Sequence, residues 1–244
     1  MMFSRDYLFE LFTTHKFSDF CFTRPGERGL EVHKVLLSAR SPIFKWYFET
    51  HKGKKADLLD LVACEGIMGY DSDDEANNTA LRDSLFDIIA FCYLENCSDC
   101  RRDTNIHFNI RVIPLLLTHA LADRFEIPDL VAGAEKKFRD AFAWFCTNAV
   151  DEHVESALKI CFSPDLLKKR HIQGRTLELL RDTAMWMFEQ QVENYKRAGQ
   201  REKLMALMAG IPQASAKLGR QLVDADQAGT KGEAEGSVKQ GTRE

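Results

Sequence analysis

The chain has 244 residues, with 33 Lys and Arg against 37 Asp and Glu and a formal net charge of −4. Its 45% hydrophobic and 29% charged composition is that of an ordinary globular chain, which excludes collagen-like, disulfide-scaffold and wholly disordered classes. It has no basic surplus or stripe that would neutralise phosphates, so nucleic acid is not expected as a partner.

The opening Met1-Met2-Phe3-Ser4-Arg5-Asp6-Tyr7 carries an acid early and no long apolar run, so it does not read as a secretory signal. The most continuous apolar stretch, Val112 to Leu117, is far short of the roughly 20 residues that a membrane-spanning helix needs. No membrane partner is expected. Seven cysteines, Cys21, Cys64, Cys92, Cys97, Cys100, Cys146 and Cys161, form no disulfide framework. They read as reduced thiols of a cytoplasmic or nuclear protein.

Tyr7, Leu8, Leu11 and Phe12 recur at helical spacing, and the helix they predict ends before Lys16-Phe17. The period then becomes two. Phe20 and Phe22 alternate with polar neighbours, Arg24 to Gly29 supplies a Pro-Gly turn, and Leu30 and Val32 alternate again, which predicts a β-hairpin. His33 to Arg40 is an apolar block expected to form a deeply buried helix. Ser41-Pro42 restarts the pattern, with Ser as cap and Pro at the first helical position, and Phe44, Tyr47 and Phe48 share one side. Leu58, Leu59, Leu61 and Val62 read as a further strand. Gly69 to Asn78, with four acids between Asp71 and Glu75, reads as a solvated loop that lacks the spacing of a calcium site.

Leu81, Leu85, Ile88 and Cys92 form a helical stripe. The next helix starts near Val112 or Ile113, because Pro114 is tolerated only in a first turn, and runs through Leu117, Leu121 and Phe125. Ile127-Pro128-Asp129 breaks it, and Leu130, Val131, Ala134 and Phe138 carry another. Beyond that, helices are predicted with Asn148 as a cap, from Ser163-Pro164-Asp165, along Leu177 to Tyr195 stopping near Gly199, and through Leu204, Leu207 and Met208. From Asp224 to Glu244 only Val238 is a branched aliphatic, and such a segment cannot offset its ordering entropy. It reads as a disordered tail.

Two blocks carry a family resemblance. Phe17-Ser18-Asp19-Phe20, followed after the hairpin by Val32-His33-Lys34-Val35-Leu36-Leu37-Ser38-Ala39-Arg40-Ser41-Pro42-Ile43-Phe44, resembles the BTB (POZ) signature. Leu121-Ala122-Asp123-Arg124-Phe125-Glu126-Ile127-Pro128-Asp129-Leu130 looks like the family's helix-break-helix, and the helical remainder with Leu180-Arg181-Asp182 looks like fungal members. The resemblance implies an α+β fold, a short β-sheet capped by helices, followed by an all-helical C-terminal extension. The expected division is a BTB/POZ-like domain over 7–141, a helical extension over 142–223 and the tail over 224–244.

The implied function is protein–protein association without catalysis, with protein partners that include a second copy in a homodimer or a cullin scaffold of a ubiquitin ligase. Only about 16 residues precede the sheet, which argues against a strand-swapped dimer. The hydrophobic-x-Glu element of cullin-binding members is replaced by Thr50-His51-Lys52-Gly53-Lys54-Lys55, which weighs against the adaptor role.

Asp19 and Lys34 match family positions of a charged pocket, and two readings stand: a linked pair open to a ligand peptide, or Asp19 capping a backbone turn while Lys34 snorkels to water. His33 reads as a structural hydrogen-bonding residue. Cys92, Cys97, Cys100 and His107 have metal-like spacing for zinc. However, Cys92 belongs to an apolar stripe and should point into the core, so no metal and no cofactor is expected. The chain has no Gly-x-Gly-x-x-Gly, no Gly-x-x-x-x-Gly-Lys and no Gly-x-Ser-x-Gly. A Cys-dependent hydrolase is the alternative of another class and has no positive support.

Overall fold

In the computed structural model, residues 4–23, 29–63, 75–95, 112–163 and 172–219 are described. The first helix, α1 (Arg5–Thr14), starts at Ser4, whose hydroxyl accepts from Tyr7 N–H, and stops at His15 in the left-handed region. Strands β1 (Phe20–Thr23) and β2 (Leu30–Val32) pair antiparallel, with Phe20 opposite Val32 and Phe22 opposite Leu30. The alternation in the sequence therefore puts Phe20, Phe22 and Val32 in the core. The hairpin turn 24–28 and the tail 224–244 lie outside the described residues.

Two helices, α2 (Lys34–Arg40) and α3 (Pro42–Thr50), cross over to β3 (Lys55–Asp57), which runs parallel to β1 and completes a sheet of order β2-β1-β3. The Leu58 to Val62 run is not the strand expected of it. Asp57 Oδ1 accepts from Leu59 N–H and Asp60 Oδ2 from Asp57 N–H, and the chain turns into α4 (Asp60–Ala63), which buries Leu61 and Val62. Local side-chain bonds of this kind outweigh strand propensity. The helix α2 is also not deeply buried: Leu37 is inside, whereas Val35 is 73% exposed. Seven residues packed on one side leave the other side wet, however apolar its residues.

Helix α5 (Glu75–Leu94) begins within the expected acidic loop, so Glu75 to Asn78 are helical and Asn78 is buried; residues 69–74 lie outside the described residues. Next come α6 (Ile113–Arg124), α7 (Pro128–Asn148), α8 (Asp151–Phe162), α9 (Gly174–Arg197) and α10 (Arg201–Gly210). A last helix, α11, covers 212–219, inside the stretch expected to be helical; it buries Ala214 behind Ile211. Asn148 is not a cap. It ends α7, its amide donates to Trp144 C=O, and Val150 is the N-cap of α8. The start expected at Ser163-Pro164-Asp165 runs into 164–171, outside the described residues. Gly199, at φ +67°, follows α9, where a left-handed residue closes the helix.

The fold is a small three-stranded sheet with helices woven in, then helices alone. Two hydrophobic cores result. One gathers Phe20, Phe22, Phe44, Tyr47, Leu85 and Phe125; the other gathers Phe138, Phe142, Phe145, Leu158, Leu180 and Phe188. Helices α6 and α7 belong to both, since Leu115 to Leu117 and Phe138 to Phe145 face the second while Leu121, Leu130 and Val131 face the first. This explains why α6 is buried nearly all round, as a helix between two cores must be. The helix α7 runs unbroken through position 141. No described helix is long and apolar enough to cross a membrane.

Side chains meet part of each edge of the sheet. The pairing turns the N–H and C=O of Glu31 outward from β2, and of Lys55 and Asp57 outward from β3. Glu31 C=O accepts from His15 Nδ1 at 3.3 Å, Lys55 C=O from His51 Nε2 at 3.2 Å, and Asp57 N–H donates to Asp60. Gly53 permits the second contact, because a Cβ there would stand 2.7 Å from His51 Nε2.

Candidate functional site

The residues singled out in the sequence meet where β1 enters the sheet and α2 begins. Asp19 Oδ1 accepts the backbone N–H of Lys34 at 2.8 Å, so a carboxylate fifteen residues upstream caps the first turn of α2, where negative charge is favoured. Asp19 and Lys34 are therefore linked, though not charge to charge. The Lys34 ammonium lies 4.9 Å from the Phe20 ring centre and 5.6 Å from that of Phe48, and its Nζ is 3.4 Å from Gly53 C=O. It rests over aromatic faces.

His33 is buried and tied on three sides. Its Nε2 lies 2.7 Å from Lys16 C=O, its Nδ1 2.9 Å from Tyr93 Oη, and its backbone N–H donates to the same Oη at 2.7 Å. A carbonyl only accepts, so the Nε2 must carry hydrogen. The Tyr93 hydroxyl then accepts from the backbone and donates to Nδ1, and every polar atom of the trio is used. Burial pushes the Tyr93 phenol well above its ordinary range, partly offset by the His33 N–H it accepts. His33 is a structural tie, and its hydrogen-bond partners among the described residues include no carboxylate that would orient it as a base.

Through His33 the site reaches the turn from His15 to Ser18. His15 and Phe17 both have left-handed backbone, at φ +55° and +64°. Around them, Ser18 Oγ donates to Glu31 Oε2 at 2.8 Å, and Lys16 Nζ pairs with Glu10 at 2.9 Å. Phe17 is 82% exposed. The sequence reading placed Phe17 in its signature string without giving it a role, and it missed Tyr93, which as a residue among apolar neighbours resembles any core aromatic. A bulky residue in left-handed backbone leaves no mark in composition or period.

The two sequence blocks also meet in space. Ser41 Oγ accepts from Phe44 N–H at 3.3 Å and donates to Phe125 C=O at 2.6 Å, and the rings of Phe44 and Phe125 are 4.8 Å apart. Residues 8–65 match the BTB/POZ domain family. BTB/POZ domains are protein-interaction modules, and the matched span holds the whole sheet and α2 to α4. No curated protein matches the chain, and the closer likeness to fungal BTB/POZ members finds no support. Phe125 lies beyond the matched span, so the Ser41 bond fastens a later helix end onto it.

Of the cysteine cluster, Cys97, Cys100 and His107 lie outside the described residues. Cys92 is buried, and burial pushes its thiol up to about 12, so it faces the core and is held as the neutral thiol. Among the described residues no group of three His, Cys, Asp or Glu side chains could hold a metal. The segment Thr50 to Lys55 is used within the fold as the end of α3 and the lead into β3.

Proposed function

We propose that the chain is a non-catalytic association module of BTB/POZ type that binds a second copy of itself, with residues 7–141 as the module, 142–223 as a helical extension and 224–244 as a tail. The observation that carries this reading is the apolar surface around the site. Phe17, Val35, Phe9 and Phe86 are 82%, 73%, 54% and 40% exposed. Between α1 and α5 the Phe12 ring is 6.0 Å from Phe86 and 5.1 Å from Tyr93, which holds His33 and so the turn that carries Phe17. At about 200 Å² for an aromatic side chain, a two-fold contact over this surface would bury on the order of 1,000 Å². That lies just below the roughly 1,200–2,000 Å² of stable specific interfaces and suits a weak, reversible dimer.

The free thiols of Cys21, Cys92, Cys146 and Cys161 support a reducing compartment, the cytoplasm or nucleus. Sedimentation velocity between about 1 and 100 µM tests the reading, a range that spans ordinary dimer affinities. A dimer that Val35→Glu dissociates is expected; a wild-type chain that stays monomeric throughout removes the claim.

A further inference from the structure

The turn from His15 to Ser18 is tied down at every point except one side chain. His15 is fixed to the edge of β2, the Lys16 carbonyl to His33, the Lys16 ammonium to Glu10, and Ser18 to Glu31. The exception is Phe17. Its ring makes no aromatic contact among the described residues and is 82% exposed, while its backbone sits at φ +64°. A bulky side chain in this region is a conformational outlier and raises the energy of the fold. An apolar ring facing water returns nothing against that. The chain therefore bears strain at Phe17 that the isolated molecule does not use, and strain of this kind gathers at binding sites whose surroundings over-determine it.

We infer that His15 to Ser18 is a rigid mount that presents Phe17 as the central anchor of the contact with a second copy, with His33 and Tyr93 as its positioning residues. The inference rests on the self-association reading above and adds where the contact is anchored and what holds the anchor ready. The Nε2–H of His33 grips the carbonyl of Lys16, the peptide directly before Phe17, and the Tyr93 hydroxyl fixes which nitrogen carries that hydrogen. A ring held in place before contact loses little freedom on binding, which is what makes a rigid aromatic an effective anchor. Val35, two residues beyond His33, is likewise 73% exposed.

The test uses the full chain and reads association and folding separately, by sedimentation equilibrium and by thermal melting below the dissociation constant. Phe17→Gly removes the ring and relaxes the backbone. It should weaken association by about tenfold or more while raising the melting midpoint of the monomer by about 1–3 °C. A residue with a merely structural role would lower the midpoint. Tyr93→Phe keeps the ring and loses the hydroxyl, and Ser18→Ala releases the turn from Glu31 without touching the core. Each should weaken association by about threefold or more, with Ser18→Ala serving should Tyr93→Phe not fold. An unchanged or lowered midpoint for Phe17→Gly, or wild-type association by Phe17→Gly or by Ser18→Ala, overturns the inference. A wild-type chain that never associates removes the self-association reading and the mount with it; an associating wild type with an unaffected Phe17→Gly removes the mount alone.

Discussion

Replacing Ser41 by Ala probes the bond that joins the BTB/POZ-matched span to the end of α6. Ser41 is 1% exposed and its hydroxyl does two things: it caps α3 at Phe44 N–H and satisfies Phe125 C=O, which no backbone N–H among the described residues reaches. Loss of a Ser cap costs about 1 kcal/mol, and a buried carbonyl left without a donor costs about 1–3 kcal/mol. The cavity left by one oxygen is small, so the expected loss is about 2–3 kcal/mol. For a chain of this size that lowers the melting midpoint by about 5–10 °C. The assay is urea unfolding followed by fluorescence in variants that keep Trp46 alone, which reports on α3, or Trp186 alone, which reports on α9. The Trp46 transition should move at least as far as the Trp186 transition, because Ser41 touches only the first core. A loss under about 0.5 kcal/mol, the usual effect of a surface change, would refute the reasoning and mean that water replaces the hydroxyl at Phe125 without cost.

Three further outcomes are expected. His119 is buried, its Nδ1 is 2.8 Å from Thr176 Oγ1, its Nε2 has no partner among the described residues, and burial holds it below its ordinary 6.5 despite Glu135 and Asp123, with Arg175 adding to the effect. The unfolded chain then binds the proton more readily, so this stability is present at neutral pH and lost as pH falls below 6.5; melting midpoints at pH 7.5 and 5.5 should differ more for wild type than for His119→Gln, and equal slopes would sink the claim. Asp151 accepts from Lys203 and Gln191, which hold its carboxyl below the ordinary 3.8, so what it contributes is present above that value and lost as pH falls through the lower folded one. Asp151→Asn should therefore be less stable than wild type at neutral pH, with the gap closing in acid and narrowing in high salt; a gap independent of both would show that charge is not its origin. Finally, burial pushes the thiols of Cys92 and Cys146 up to about 12 and raises that of Cys161 well above its usual value. Iodoacetamide at about pH 8 should leave all three unmodified in the native protein, as peptide mass mapping would show; alkylation before unfolding would contradict it.

Much of the fold could be read from periodicity because burial follows it. Phe20, Phe22 and Val32 alternate into the core, and Leu81, Leu85, Ile88 and Cys92 line one helical face. The misreadings arose where a local polar contact or element size outweighed hydrophobicity. Asp57 and Asp60 turned a leucine-rich run into a helix, and a seven-residue α2 was too short to be covered on all sides. At the site, the residue types were legible and their partners were not. Asp19 and Lys34 could be named, but that the carboxylate would meet the backbone of Lys34 while the ammonium rests on Phe20 depends on how the sheet places them. Tyr93 lies sixty residues from His33, and no spacing rule spans that distance.

The side chains along the rims of the sheet bear on how this protein could grow. A bare strand rim invites strand addition from another chain, which extends without limit toward fibres. Here His15 occupies the one outward carbonyl of β2, and His51 and Asp60 occupy outward groups of β3. Strand addition from another chain would have to displace these bonds first, which disfavours backbone templating at either rim.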